Sequence, residues 1–134
     1  MTGEERQLLD RAGEARARAY APYSGMRVGC ALRAEDGRVF AAGNVENAAY
    51  PATMCAERNA VGQAVAAGAR RFVAVAVVGD GPRATAPCGT CRQVLFEFAP
   101  DVVVLAGSAG GATARYRLAR DLLPEAFGPD DLRV

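Results

Sequence analysis

The chain contains no histidine, no lysine and no tryptophan, and Ser24 and Ser108 are its only serines. Without histidine, Ser-His and Cys-His nucleophile pairs are excluded, as is every histidine-ligated metal site. Without lysine, Schiff-base catalysis and the lysine of a phosphate-binding loop are excluded too. Carboxylate, thiolate and metal are left to carry any catalysis. The sequence also lacks an apolar run approaching the roughly 20 residues that span a bilayer, and Met1 to Arg11 is polar where a signal peptide would be apolar. These absences predict a soluble, cytoplasmic protein with no membrane partner.

What is present suits a single domain over residues 1–134, because 51% of the residues are hydrophobic and can bury one core of ordinary size. The formal charge is +1, and the arginines are interspersed with carboxylates such as Glu4, Glu5, Asp10 and Glu14. A polynucleotide partner is therefore not expected, since phosphate neutralisation needs a concentrated basic face.

The periodicity predicts a surface helix over Glu4 to Tyr20 with Leu8, Leu9 and Ala12 inward, stopped by Ala21-Pro22-Tyr23-Ser24-Gly25. Val28 to Ala34 and Arg38 to Val45 read as an antiparallel hairpin around Asp36-Gly37. A polar segment, Asn44 to Thr53, leads to a helix over Cys55 to Ala67 that Gly68 ends. Phe72 to Val78 reads as a buried strand, Cys88 to Phe98 as a helix and Val102 to Leu105 as a second buried strand. Ala106 to Ala114 reads as a small-residue loop, with a short edge strand over Tyr116 to Leu118. The order β-β-α-β-α-β, with the edge strand as a fifth, predicts an α/β fold, a mixed five-stranded sheet between helical layers, with later strands parallel through helical crossovers.

Cys88-Gly89-Thr90-Cys91 places two thiols at i and i+3, on one face of a helix's first turn, where both can grip one metal ion. Cys55, also at a helix start, makes a third soft donor. Three protein ligands with an open fourth position are the stoichiometry of a catalytic zinc, and helix N-termini stabilise thiolates. Three thiolates on a dication leave one negative charge, which Arg58 or Arg92, close in sequence to the cysteines, could offset. Cys30, inside the strand Val28 to Leu32, reads as a packing residue. Glu57 lies two residues after Cys55, so a metal off the end of the helix would let both side chains converge, with the carboxylate as proton carrier and not as ligand.

Cys55-Ala56-Glu57-Arg58 together with Pro87-Cys88-Gly89-Thr90-Cys91-Arg92-Gln93 resembles the small homotetrameric cytidine deaminases, the three-cysteine branch of the zinc deaminases. The resemblance extends to Ala21-Pro22-Tyr23-Ser24, Val28-Gly29, Asn44-Val45-Glu46-Asn47-Ala48 and the tail Leu122-Leu123-Pro124 with Ala126-Phe127-Gly128. It implies a zinc-dependent hydrolase of pyrimidine salvage that deaminates cytidine and deoxycytidine at C4, with one zinc per chain. Carried over by position, it makes Cys55, Cys88 and Cys91 the zinc ligands and Glu57 the proton shuttle, with Arg58 bonding the cysteine sulfurs. It makes Asn44 and Glu46 the pair that holds the ribose 3′-hydroxyl; at i and i+2 on an extended segment they face one way. Ala48 and Tyr50 match positions through which a neighbouring subunit completes the ribose pocket, and Phe127 matches a tail aromatic that reaches a neighbour's base. Met26 departs from the family, standing where a Phe is common, and a thioether packs on a base without stacking as a ring does. Two rival readings are a blasticidin S-type aminonucleoside deaminase, which the Asn44 to Asn47 motif disfavours, and a non-catalytic zinc module, which would need Cys30 as fourth ligand.

Overall fold

The structure, a computed structural model, describes residues 1–132, so the last two residues of the expected domain lie outside it. Three helices, α1 (Gly3–Arg16), α2 (Ala56–Ala66) and α3 (Gly89–Phe98), flank five strands: β1 (Val28–Ala34), β2 (Val39–Gly43), β3 (Phe72–Gly79), β4 (Val103–Ser108) and β5 (Thr113–Arg117). The sheet order is β2-β1-β3-β4-β5. Only β3 and β4 run parallel, through the α3 crossover, and every other pair is antiparallel. This is the mixed, three-layer α/β arrangement that the element order implies.

Side chains on the central strand β3 alternate between two cores. Val75 and Val77 join Cys30, Leu32 and Val104 beneath α2 and α3. Ala74, Ala76 and Val78 face the other way and meet Leu8, Leu9 and Ala12 of α1. The α1 face is built of small residues because the helix rides almost on the backbone. A Cβ at Gly29 would come within 1.9 Å of the Ala12 carbonyl oxygen, and one at Gly43 within 2.8 Å of Ala19 Cα. Gly29 thus seats α1 on the sheet.

Several boundaries differ from the sequence expectation. Helix α1 stops at Arg16, because Tyr20 pairs with the 44–46 segment: its N–H donates to the Asn44 carbonyl and its carbonyl accepts from Glu46. Strand β2 ends at Gly43, and Val45 instead bridges Tyr20 and Met54. Strand β4 continues to Ser108, and the edge strand is Thr113–Arg117, not Tyr116 to Leu118; the loop between them is correspondingly short. Alanine and glycine carry little strand signal alone, and here pairing with β3 supplies it. Leu118–Leu122 forms one turn of π-helix.

Thr2 and Glu5 close the N-terminus of α1 with a capping box, the Thr2 hydroxyl accepting from the Glu5 N–H and the carboxylate accepting from the Thr2 N–H at 2.9 Å. Arg115 of β5 donates to the same carboxylate at 2.8 Å. The Thr2 amide, followed by Arg115, lowers the Glu5 pKa to about 2. A carboxyl depressed on folding stabilises above its unfolded pKa, and that contribution disappears as pH falls through the folded value. Glu5→Ala should therefore cost about 1 kcal/mol at pH 7, read as a lower urea midpoint. The gap to wild type should narrow between roughly pH 5 and pH 2; a gap that widens there would contradict the assignment.

Candidate metal centre and active site

Cys55 and Cys88 are the N-cap residues of α2 and α3, both in extended conformation and neither capping its helix with its own side chain. Their carbonyls take the first helical bonds, from Asn59 at 3.1 Å and Arg92 at 2.9 Å, leaving the sulfurs free to turn toward each other. Two helix N-termini, each with unsatisfied N–H groups and a positive dipole end, thus converge on one point. Cys91, one turn into α3, completes the group, and the three Sγ atoms lie within 4.8 Å of one another.

The donor set fits a zinc ion. Tetrahedral ligation at about 2.3 Å separates sulfurs by roughly 3.8 Å; Cys55 and Cys88 are 3.7 Å apart and Cys88 and Cys91 3.3 Å. Cys91, donating toward Cys55, together with Arg58 lowers the Cys55 pKa to about 5, while the same pairing and burial raise that of Cys91. Cys30 stands apart. It is fully buried in the α2/α3 core, burial raises its thiol pKa, and it is not a member of the sulfur cluster, so the fourth thiolate of a closed site is missing among the described residues.

Glu57 occupies the first turn of α2 and is only 4% exposed. Burial pushes its carboxyl up and the Cys55 charge adds to this, while its own amide, the Cys91 thiol and the Cys88 amide oppose them. Arg58 reaches back to the Thr53 carbonyl at 3.2 Å and to the Cys55 sulfur at 3.6 Å. Arg92 does not share that role. Its guanidinium donates to the Pro87 carbonyl at 2.8 Å and to Leu122 at 3.0 Å, tying the tail to the CxxC turn.

Asn44 and Glu46 both bond the segment that leads into β1. The Asn44 amide accepts from Val28 N–H at 2.9 Å and donates to the Met26 carbonyl at 3.0 Å. The Glu46 carboxylate accepts from the Tyr23 and Ser24 amides and from the Ser24 hydroxyl, and those bonds, the hydroxyl's first, lower its pKa. Beside it lies a cavity of about 360 Å³ walled by Tyr23, Ser24, Glu46, Asn47, Tyr50 and Thr53. Met26, Ala48 and Phe127 are exposed but are not part of that wall. The main chain of Phe127 is anchored by Gln93 of α3, which donates to its carbonyl at 2.8 Å, and its ring is left exposed. Sequence reasoning gave no role to Ser24 or Thr53; a hydroxyl following Pro-Tyr in a turn is the available signal for the first.

A family model described as the cytidine and deoxycytidylate deaminase zinc-binding region matches residues 2–106. Among curated proteins, the cytidine deaminase of Halalkalibacterium halodurans is 43% identical over 130 residues, which cover 96% of this chain and 98% of that protein. A Mycobacterium tuberculosis cytidine deaminase is 42% identical over 93% of this chain and 90% of its own. Among solved structures, the cytidine deaminase of Burkholderia pseudomallei superposes with a TM-score of 0.88 at 46% identity, covering 95% of this chain and all of that one. With the match running through both cysteine segments, the chain belongs to the zinc-binding cytidine and deoxycytidylate deaminase family.

Proposed function

We propose that this chain hydrolyses free cytidine and deoxycytidine to uridine and deoxyuridine with release of ammonia, a reaction of pyrimidine salvage. The observation that carries the reading is the convergence of three thiols from two helix N-termini beside the buried carboxylate of Glu57. Cys55, Cys88 and Cys91 would hold the zinc, whose Lewis acidity makes water nucleophilic near neutral pH. Glu57 moves the protons. Its carboxylate takes one from the water that adds to C4 and gives it to ring N3, then carries the second to the departing amine. A carboxylate whose pKa is raised by burial is a stronger base than one at the ordinary value, so it takes the proton of water more readily and holds it until the substrate nitrogen accepts it. Arg58, against the Cys55 sulfur, offsets the net negative charge of three thiolates on a dication.

Substrate is selected at the ribose. Glu46 and Asn44 bind the 3′-hydroxyl and Met26 packs on the base, while the Glu46 carboxylate beside the cavity repels a phosphate. Ala48, Tyr50 and Phe127 act on a neighbouring pocket in a homotetramer. Val45 bridges Tyr20 and Met54, Tyr23 and Tyr50 stack edge to face at 6.1 Å, and all five are exposed, which supports an apolar face that further copies cover. Among the described residues no helix is long and apolar enough to cross a membrane.

The decisive assay follows loss of cytosine absorbance with cytidine, deoxycytidine, free cytosine and the 5′-monophosphate as substrates. Both nucleosides should be consumed, and cytosine and the monophosphate should react at least about a hundredfold more slowly, since binding energy at the ribose is lost with one and opposed with the other. Efficient turnover of free cytosine would count against the reading, and sedimentation of a fully active monomer against the assembly.

A further inference from the structure

Asp80 follows the last residue of β3, between Gly79 and Gly81, and no step of the deamination described above uses it. Its carboxylate meets three donors. One oxygen accepts from Arg16 at the end of α1, and the other from the Arg27 N–H at 2.9 Å and the Arg27 guanidinium at 3.3 Å. In return the Asp80 N–H donates to the Arg27 carbonyl at 3.2 Å.

The backbone this secures is that of Met26-Arg27-Val28, and all six of its polar groups are paired. The Met26 N–H donates to the Ser24 hydroxyl and the Met26 carbonyl accepts from the Asn44 amide. Val28 exchanges bonds with Asn44 through both its N–H and its carbonyl. Arg27, the central residue, depends for both of its backbone bonds on Asp80 alone. Asn44 and Asp80 therefore clamp the tripeptide at alternate residues. The Met26 side chain extends over the same loop, since a Cβ at Gly81 would lie 3.6 Å from Met26 Cε. That loop runs on to Cys88.

We propose that Asp80 is a positioning residue for substrate binding: by clamping Arg27 it sets the place of the Met26 thioether relative to the loop that delivers Cys88 and Cys91. The inference rests on the reading of Met26 as the residue that packs on the cytosine ring. Flexible methionine makes such a clamp consequential, because an unbranched thioether has little rotameric order of its own. Packing on the base acts alike in the ground and transition states, so a misplaced Met26 raises KM and spares kcat.

The test is Asp80→Asn, which keeps shape but opposes an amide to two guanidinium groups. Two readings are taken on the zinc-loaded protein. In methyl spectra of the three methionines, the Met26 signal should shift or broaden while that of Met54 stays in place. In steady-state kinetics KM for cytidine should rise about tenfold, with kcat per bound zinc within about twofold. On a Met26→Ala background the same substitution should change KM by less than about twofold, because the two residues act as one unit. A merely structural role predicts instead a loss of kcat or of zinc with KM unmoved. An unmoved Met26 signal, or an undiminished KM effect on the Met26→Ala background, overturns the proposal. If Asp80→Asn does not fold, Asp80→Glu keeps the negative charge beside Arg16 while its longer side chain displaces the carboxylate from the Arg27 N–H, and the same readings decide. Should the wild-type protein fail to deaminate cytidine, the proposed function falls by itself, and the methyl spectra alone judge the clamp.

Discussion

Glu57→Gln is expected to slow cytidine deamination by about 10²–10⁴-fold, the range that general acid-base catalysis is worth, while the protein keeps its fold and about one zinc per chain. The amide has nearly the shape of the carboxylate and can still accept a hydrogen bond, but it cannot take a proton from water and return it. The residue is 4% exposed at the mouth of two helix N-termini, so the substitution also removes a buried negative charge without opening a cavity. Activity within tenfold of wild type, in protein shown to be free of it, would mean that another group moves the protons. The same variant probes the assembly. Phe127→Ala should impair turnover with zinc intact, and mixing it with Glu57→Gln under conditions of proven subunit exchange should restore activity, since some hybrid pockets then carry both native residues. No recovery would place Phe127 outside the neighbour's pocket.

Replacing a member of the sulfur cluster should have a different signature. Cys88→Ala or Cys91→Ala is expected to lose stoichiometric zinc and, with it, all measurable deamination, because two thiolates with no histidine in the chain leave too few donors. Metal binding contributes to folding free energy, so a lower melting temperature should accompany the loss. Cys30→Ala is the contrast. Its thiol sits in the core with Leu32 and Val77, where truncation costs about 1 kcal/mol of packing and leaves zinc content near one per chain. Equal zinc in all three variants would overturn the ligand assignment, and zinc lost from Cys30→Ala would restore the closed-site reading.

Much of this was legible in one dimension. Three of the four thiols, at 55, 88 and 91, stand at expected helix starts in a chain without histidine, two of them as a CxxC, and it is the three together that point to a metal. The hairpin around Asp36-Gly37 was legible for a similar reason: Gly37, with φ of 94°, adopts a conformation that other residues resist. The buried strand β3 announced itself by seven apolar residues in a row. Where local signal is weak, the expectation slipped. Strand β5, Thr113–Arg117, has a half-buried alternating pattern at a sheet edge, and β4 continues through Ala106-Gly107-Ser108 because β3 lies beside it. Tyr20 left its helix for a long-range pairing with the 44–46 segment, which helix propensity cannot report.

The sequence by itself determined the chemistry of this protein, because the residue types that can bind a metal or carry a proton are few here and stand at spacings that helix geometry converts into one site. It also determined the layer order, since alternation and helix periodicity are local. The tertiary structure decided which of several similar residues is which. Arg58 and Arg92 are equivalent on paper, one following each cysteine segment, yet only Arg58 reaches a sulfur while Arg92 holds the tail. Cys30 and Cys91 are both fully buried, yet only Cys91 lies within reach of the other two sulfurs, and that proximity is a property of the packed fold. The bond between Asp80 and Arg27 spans 53 residues and closes only when β1 and β3 pair, so no local pattern could have shown it. Hydrogen bonds of that kind belong to the register of the sheet, which is settled by the whole chain at once.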